Sequence, residues 1–95
     1  MLNLDPKYIQ IIRKILSKHI PDKIVWVYGS RIKNKSHPGS DLDLAIRSSV
    51  KQEQVSALRA AFSDSHLPIL IDILDWESIP EQFKSEIEKE HEIFN

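Results

Sequence analysis

The sequence predicts an α/β protein in which helices pack on a sheet of at least three strands, in the order α-β-α-β-α-β-α. Three short runs rich in apolar and β-branched residues, at 24–28, 42–47 and 69–74, have the length and composition of strands. Segments with apolar residues at helical spacing precede, separate and follow these runs. This alternation indicates a layered structure with helices against a sheet.

The first helix is predicted to begin at Asp5-Pro6, because an aspartate N-cap followed by proline at the first helical position is a common helix start. The helix is expected to end at Pro21-Asp22, and the apolar run 24–28 that follows is predicted to be a buried strand. The apolar face of the helix is made of Tyr8, Ile9, Ile12, Ile15, Leu16 and Ile20.

The middle of the chain is predicted to contain a short helix, a loop and a second strand. Ser30 can cap a helix over 31–34, and the Ser, His, Pro and Gly residues of 35–40 favour a loop. In the strand 42–47, Leu42, Leu44 and Ile46 should face the core, because side chains alternate along a strand. Asp41 and Asp43 should face the other way, roughly 6.6 Å apart at ~3.3 Å rise per residue.

A helix over 51–63 and a turn over 63–66 lead to the third strand, 69–74, which is apolar except for Asp72. Pro80 is predicted to open the last helix, with Phe83, Ile87 and Phe94 facing inward. Trp26 and Tyr28 are interpreted as core residues in preference to a base-stacking platform, and Trp76 as a candidate contact with a partner.

Ninety-five residues predict one domain over 1–95, and the composition of 41% hydrophobic and 28% charged residues is that of a globular protein. The net charge of −1 argues against non-specific nucleic-acid binding, and the absence of cysteine excludes disulfides and thiolate metal sites. No apolar run is long enough to span a membrane and no signal pattern opens the chain, so we expect a cytoplasmic protein.

Asp41, Asp43 and Asp72 are the candidate catalytic and metal-binding residues. A carboxylate in a central strand is unfavourable unless it is paired or binds a metal, although Asp72 could also sit in an ion pair or on an edge strand open to water. Three carboxylates would suit two Mg²⁺ ions, which can hold the attacking and leaving oxygens of a displacement at phosphorus. Asp72 would then lie near the incoming hydroxyl and assist its deprotonation.

Gly29 and Ser30 directly follow the first predicted strand and are candidate phosphate-binding residues. Glycine allows the backbone to approach a phosphate closely, and Ser30 adds a hydroxyl group. Arg31 could contact phosphate oxygens, or it could be a solvated surface charge. Each feature alone is weak, and the joint pattern of Gly-Ser, ten residues, Asp-x-Asp and a third strand aspartate is more specific.

This joint pattern resembles that of the minimal nucleotidyltransferases of the DNA polymerase β superfamily, whose hallmark is Gly-Ser, about ten residues, Asp-x-Asp and a later strand acid. Gly29, Ser30, Asp41, Asp43 and Asp72 match it, while Ile32-Lys33-Asn34 replaces the frequent Ala-Arg-Gly. The resemblance implies a small mixed sheet backed by helices. It also implies ATP as substrate, two Mg²⁺ ions as cofactor and nucleotidyl transfer to a hydroxyl.

The resemblance further implies a partner, because minimal members typically pair with a small helical HEPN protein. In the toxin–antitoxin pairs of this kind, AMP is moved from ATP to a tyrosine of the HEPN toxin. An alternative is a catalytically weak binding module that neutralises or scaffolds a helical partner by contact. A nucleotide-binding homo-oligomer without such a partner is a third option.

Overall fold

A four-stranded mixed sheet and three α-helices make up the part of the chain, residues 2–33 and 39–95, that the computed structural model describes. A single 3₁₀ turn, Trp76–Ser78, precedes the last helix. In chain order the elements are α1 (Pro6–His19), β1 (Val25–Tyr28), β2 (Leu42–Ile46), α2 (Gln52–Ser63), β3 (Ile71–Asp75), α3 (Glu81–Lys89) and β4 (Glu92–Ile93).

The strands lie in the spatial order β3-β2-β1-β4. Strand β2 is parallel to β3 and antiparallel to β1, and β4 is antiparallel to β1. The segment 29–41 joins the antiparallel neighbours β1 and β2, whereas the parallel pair β2–β3 is connected through α2, as parallel strands require. The predicted mixed sheet with helices packed on it is therefore confirmed.

The main core lies between one face of the sheet and the helices α1 and α2. Leu42, Leu44 and Ile46 are fully buried there, which confirms the predicted inward face of the second strand. Helix α1 buries Ile12 and Leu16 and begins as predicted, since the Asp5 carboxylate accepts a hydrogen bond from the Lys7 backbone amide at 3.0 Å. We call this side of the sheet the core face.

A second, smaller cluster lies on the opposite side of the sheet, which we call the α3 face. Tyr28 and Ala45 of the sheet pack there against Ile79 and against Ile87 of α3. Because residues 43, 45 and 47 alternate with the core residues of β2, they belong to the α3 face. This face is only partly covered, and it is where the candidate site residues lie.

Two predicted helical segments differ from the structure. Residues 30–33 form a turn in which the Ile32 amide donates to the Gly29 carbonyl and the Lys33 amide to the Ser30 carbonyl, both at 3.2 Å. Within the described residues the predicted helix over 31–34 is therefore absent. Residues 34–38, which hold the end of that helix and most of the predicted loop, lie outside the described residues.

The last helix also ends earlier than predicted, at Lys89, and β4 follows it. Strand β4 supplies hydrogen-bonding partners for the edge of β1, and the Phe94 amide donates to the Val25 carbonyl at 2.8 Å. Phe94 is buried as predicted, but it reaches the core from the sheet edge and not from the helix. No helix among the described residues is both long enough and apolar enough to cross a bilayer.

Candidate active site

The turn after β1 brings Gly29 against the side chain of Asp43. Gly29 has φ +87°, a left-handed conformation that side-chain-bearing residues rarely adopt. A Cβ atom on Gly29 would overlap the Asp43 Oδ2 atom and lie 3.2 Å from its Cγ. Glycine is thus required here both for its backbone conformation and for the space it leaves to the carboxylate. Ser30 follows in the same turn and is half-buried.

Two of the three predicted aspartates are direct neighbours across the sheet. Asp43 of β2 and Asp72 of β3 are register partners in the parallel pair, so their side chains project from the same face. On its other side, Asp43 is the register partner of Tyr28. Asp41 immediately precedes β2 and is exposed. The fold thus places Gly29, Asp43 and Asp72 side by side at one end of the α3 face.

Asp72 does not lie in a central strand; it occupies the other position that the sequence left open, an edge strand exposed to water. Strand β3 is the edge of the sheet in the described residues, and Asp72 is exposed to solvent. The carboxylate therefore keeps its hydration, and its presence among apolar residues requires no buried counter-charge. The predicted position beside Asp43 is nevertheless what the register shows.

The carboxylates act on one another electrostatically. The pKa of Asp43 is raised from 3.8 to about 6, first by burial and then by the negative charges of Asp72 and Asp41. The pKa of the Tyr28 hydroxyl is raised well above its ordinary value, by burial and by the charges of Asp43 and Asp72. All three aspartates therefore contribute to one region of negative potential, in which a cation would be strongly favoured.

Arg31 is buried and its guanidinium group is bonded to the backbone. Its Nε and Nη2 atoms donate to the Ser40 carbonyl at 3.2 and 2.9 Å, and Nη1 donates to the Asn3 carbonyl at 2.9 Å. The Asn3 amide in turn donates to the Arg31 carbonyl at 2.8 Å. Arg31 therefore ties the segment before α1 to the residue that precedes Asp41. Its predicted contact with a nucleotide remains a prediction.

A small cavity of about 40 Å³ adjoins Gly29, with Tyr28, Lys33 and Phe83 among its lining residues. Lys33 forms an ion pair with Glu90 at 3.6 Å. This pair is weak because both side chains are exposed to solvent. The Phe83 ring meets the Tyr28 ring edge-on at 5.8 Å. Helix α3 thus closes one side of the region next to the carboxylates.

The donor set of this region fits a hard divalent cation, since carboxylate oxygens are the protein ligands that Mg²⁺ prefers. Asp41, Asp43 and Asp72 are the residues that would hold it. In the described residues, no three such side chains already stand close enough together to enclose an ion. After burial, the charges of Asp72 and Asp41 contribute to the raised pKa of Asp43, and a bound cation would offset this repulsion.

Sequence reasoning did not identify Tyr28 as a neighbour of the carboxylates, although it directly precedes Gly29 and lies opposite Asp43. A predicted antiparallel pairing of 24–28 with 42–47 would have revealed it. Trp76 was predicted as a candidate exposed contact with a partner. In the structure it is half-buried and its ring lies 5.5 Å from that of Trp26.

Comparisons with known proteins point to one family. The family model "Polymerase beta, Nucleotidyltransferase" matches residues 10–95. The Probable protein adenylyltransferase MntA of Haemophilus influenzae is 40% identical over 90 residues, which cover 93% of this chain and 79% of the relative.

Two solved structures have a similar fold. A crystal structure of a toxin–antitoxin with AMP-PNP has a TM-score of 0.73 at 20% identity, covering 92% of this chain and 72% of the other. The toxin–antitoxin MntA–HepT has a TM-score of 0.60 at 16% identity, covering 96% and 72%. The chain, with its Gly-Ser turn beside a pair of strand aspartates, therefore belongs to the polymerase beta nucleotidyltransferase family and is a nucleotidyltransferase.

Proposed function

We propose that this chain is a Mg²⁺-dependent protein adenylyltransferase that transfers AMP from ATP to a tyrosine hydroxyl of a helical HEPN-type toxin. In this role it is the antitoxin of the pair. The observation that carries the proposal is the pairing of Asp43 with Asp72 across β2 and β3, beside the Gly29 turn. The 40% identity to a relative named as a protein adenylyltransferase supports the choice of donor and of acceptor class.

The position of each residue suggests its role in the reaction. Asp43 adjoins the Gly29 turn and Asp41 lies two residues before it, and we assign Asp41, Asp43, Gly29 and Ser30 to the triphosphate and its metal ions. Asp72 lies on the exposed edge strand, where an acceptor hydroxyl from another protein can reach it. Two Mg²⁺ ions, when bound, would neutralise the phosphate charge and polarise the reacting oxygens. Arg31 is assigned to holding the chain before Asp41.

The transfer itself replaces one phosphorus–oxygen bond by another. The tyrosine oxygen of the acceptor forms a bond to the α-phosphorus of ATP, the bond from that phosphorus to the β-phosphate oxygen breaks, and pyrophosphate leaves. The hydroxyl proton passes to Asp72 or from there to solvent. Asp43 is half-buried and Tyr28 is buried, so these two side chains restrict the access of water to the site from the sheet.

The test is a transfer assay with α-³²P-labelled ATP, Mg²⁺ and, as the partner, the protein encoded by the neighbouring gene. We expect label on the partner with the wild type and a loss of at least 100-fold with Asp43→Asn, because a neutral amide oxygen binds Mg²⁺ more weakly than a charged carboxylate. Asp64→Asn is the matched control. Asp64 is an exposed carboxylate at the C-terminal end of α2, and its removal should leave the rate unchanged.

The same assay separates catalysis from neutralisation by contact. Mass spectrometry should locate one added AMP on a tyrosine of the partner, and the modified partner should lose its toxicity. No label transfer by the wild type would reject the proposal. Full neutralisation by Asp41→Asn/Asp43→Asn would instead identify the chain as a binding module.

A further inference from the structure

A cluster of two tryptophans and an arginine lies on the α3 face, away from the carboxylates. The Arg47 guanidinium carbon lies 4.6 Å from the centre of the Trp26 ring and 4.3 Å from that of Trp76. The two indole rings meet edge-on at 5.5 Å. The His91 ring stacks on Trp26 at 3.6 Å with 11° between the planes. These contacts hold the guanidinium group in one orientation.

Two exposed isoleucines flank this cluster. Ile24 lies opposite Arg47, whose amide donates to the Ile24 carbonyl at 2.8 Å, and it is 51% exposed. Ile93 of β4 is the register partner of Trp26 and is 73% exposed. We call Ile24, Trp26, Arg47, Trp76 and Ile93 the Trp–Arg patch. It combines residue types that dominate the energetics of protein interfaces with exposed apolar surface.

Within the described part of the chain the Arg47 guanidinium contacts the faces of two indole rings but has no hydrogen-bond acceptor. Its Nε atom is buried and has no hydrogen-bond partner there. Nor does any described carboxylate form an ion pair with it. A partly desolvated guanidinium without an acceptor is unfavourable, since each buried polar group that lacks a partner loses its hydration without replacement. Arg47 is half-buried, and its terminal Nη groups, which form no hydrogen bond within the described residues, are open to an acceptor outside the chain.

We propose that the Trp–Arg patch is a docking site for the protein acceptor, and that Arg47 pairs there with a carboxylate side chain flanked by apolar residues. This rests on the proposed function, which requires a protein acceptor. The exposed isoleucines favour a protein over a free phosphate or a nucleic acid. The net charge of −1 provides no wider positive field for nucleic acid either.

The patch lies within reach of the reaction. Arg47 is four residues beyond Asp43 on the same face, about 13 Å away at ~3.3 Å per residue. One folded partner can therefore contact the patch while it presents a hydroxyl to Asp72. A protein acceptor needs such a second point of attachment, because a single side chain at the reacting centre does not fix the orientation of a whole protein.

The experiment measures binding of the partner protein used in the transfer assay, by isothermal titration calorimetry. Arg47→Glu should raise the Kd at least 30-fold, because it leaves a buried carboxylate of the partner without its charge partner. Arg47→Lys should raise it at least fivefold, since lysine lacks the planar fork. The control is Arg13→Glu, which makes the same charge change at an arginine that lies 5.6 Å from the Phe94 ring and outside the patch.

A second measurement needs no mutation of the patch. The chain has two tryptophans, both in the patch, so 5-fluorotryptophan labelling should give two ¹⁹F resonances. Both should shift when the partner binds. A Kd for Arg47→Glu within threefold of the wild type, or resonances that do not move, would overturn the proposal. The proposal would also be overturned if the chain alone formed a dimer that Arg47→Glu dissociates, because a second copy of the chain would then occupy the patch.

The failure of this inference can be told apart from the failure of the proposed function. Mg²⁺-dependent binding of ATP should be the same in Arg47→Glu and in the wild type, since Arg47 contacts none of the carboxylates. If Arg47→Glu binds the partner as tightly as the wild type and still transfers AMP, the docking site is rejected and the proposed function stands. If partner binding requires Arg47 but the wild type transfers no AMP, the proposed function is rejected and the docking site stands.

Discussion

Replacing Gly29 by alanine tests the link between the Gly-Ser turn and the aspartate pair. An alanine at φ +87° is strained, because a left-handed conformation costs an L-residue about 1–2 kcal/mol. The new Cβ atom would also overlap the Asp43 carboxylate, with its Cγ at 3.2 Å and its Cβ at 3.5 Å. Since all three of the nearest atoms belong to Asp43, the collision is confined to one side chain.

The two contributions can be separated by a double-mutant cycle. Gly29→Ala should lower the free energy of unfolding by about 2–3 kcal/mol, the sum of backbone strain and displacement of Asp43. In the background Asp43→Ala only the strain remains, because the Cβ of residue 43 is at ordinary contact distance. The loss should then be about 1–2 kcal/mol, which leaves a coupling of about 1 kcal/mol.

Urea unfolding followed by circular dichroism measures all four proteins, in buffer with EDTA so that metal binding does not contribute. For a domain of this size each kcal/mol also corresponds to a shift of about 4–8 °C in Tm. Equal losses for Gly29→Ala in both backgrounds would show that the carboxylate does not occupy the space beside Gly29. A loss below about 0.5 kcal/mol would refute the left-handed turn as well.

Three further predictions concern the site and its support. The pKa of Asp43 is higher in the folded than in the unfolded protein, so the protonated form stabilises the fold. Without metal, the free energy of unfolding should therefore fall as pH rises from about 4 to about 6. We expect a loss of about 1 kcal/mol, a value reduced because the side chain is half-exposed. In Asp43→Asn this contribution should vanish, which urea titrations of both proteins across that range can check. Arg31→Ala should lower stability by about 2 kcal/mol in urea unfolding, because the Ser40 and Asn3 carbonyls lose their donors. Leu44→Ala should cost about 2–5 kcal/mol by the same measurement, since Leu44 is fully buried.

Most of the fold was predictable because its elements carry strong local signals. The Asp5-Pro6 start and the apolar spacing of α1 determine that helix, and the alternation in β2 determines which residues enter the core. The structure differs from the prediction where strand pairing determines the secondary structure. Residues 90–94 became a turn and a strand because the edge of β1 offers hydrogen-bonding partners that the local sequence does not reveal.

The candidate site divides in the same way. Asp41, Asp43 and Gly29-Ser30 were identifiable from spacing, because a turn and a two-residue period are local properties. The environment of Asp72 could not be identified in this way, because a run of six residues does not indicate whether its strand lies at the centre or the edge of a sheet. Arg31 was similarly ambiguous, and only its bonds to Ser40 and Asn3 show that it supports the backbone.

The Trp–Arg patch is the feature furthest from what the sequence could reveal. Trp26, Arg47 and Trp76 are far apart along the chain and carry no joint motif. Their contacts depend on the antiparallel register of β1 with β2 and on the turn after β3. A reader of the sequence could have found only that position 47 shares the face of position 43.

By itself the amino-acid sequence determined the helix starts, the inward faces of the strands and the acidic residues available for chemistry, because these depend on a few neighbouring positions. Only the tertiary structure decided that Asp72 stands on an open edge beside Asp43, that Arg31 binds backbone carbonyls and that Arg47 lies over two indole rings. Each of these depends on strand order and register, which are set by packing among residues distant in the chain.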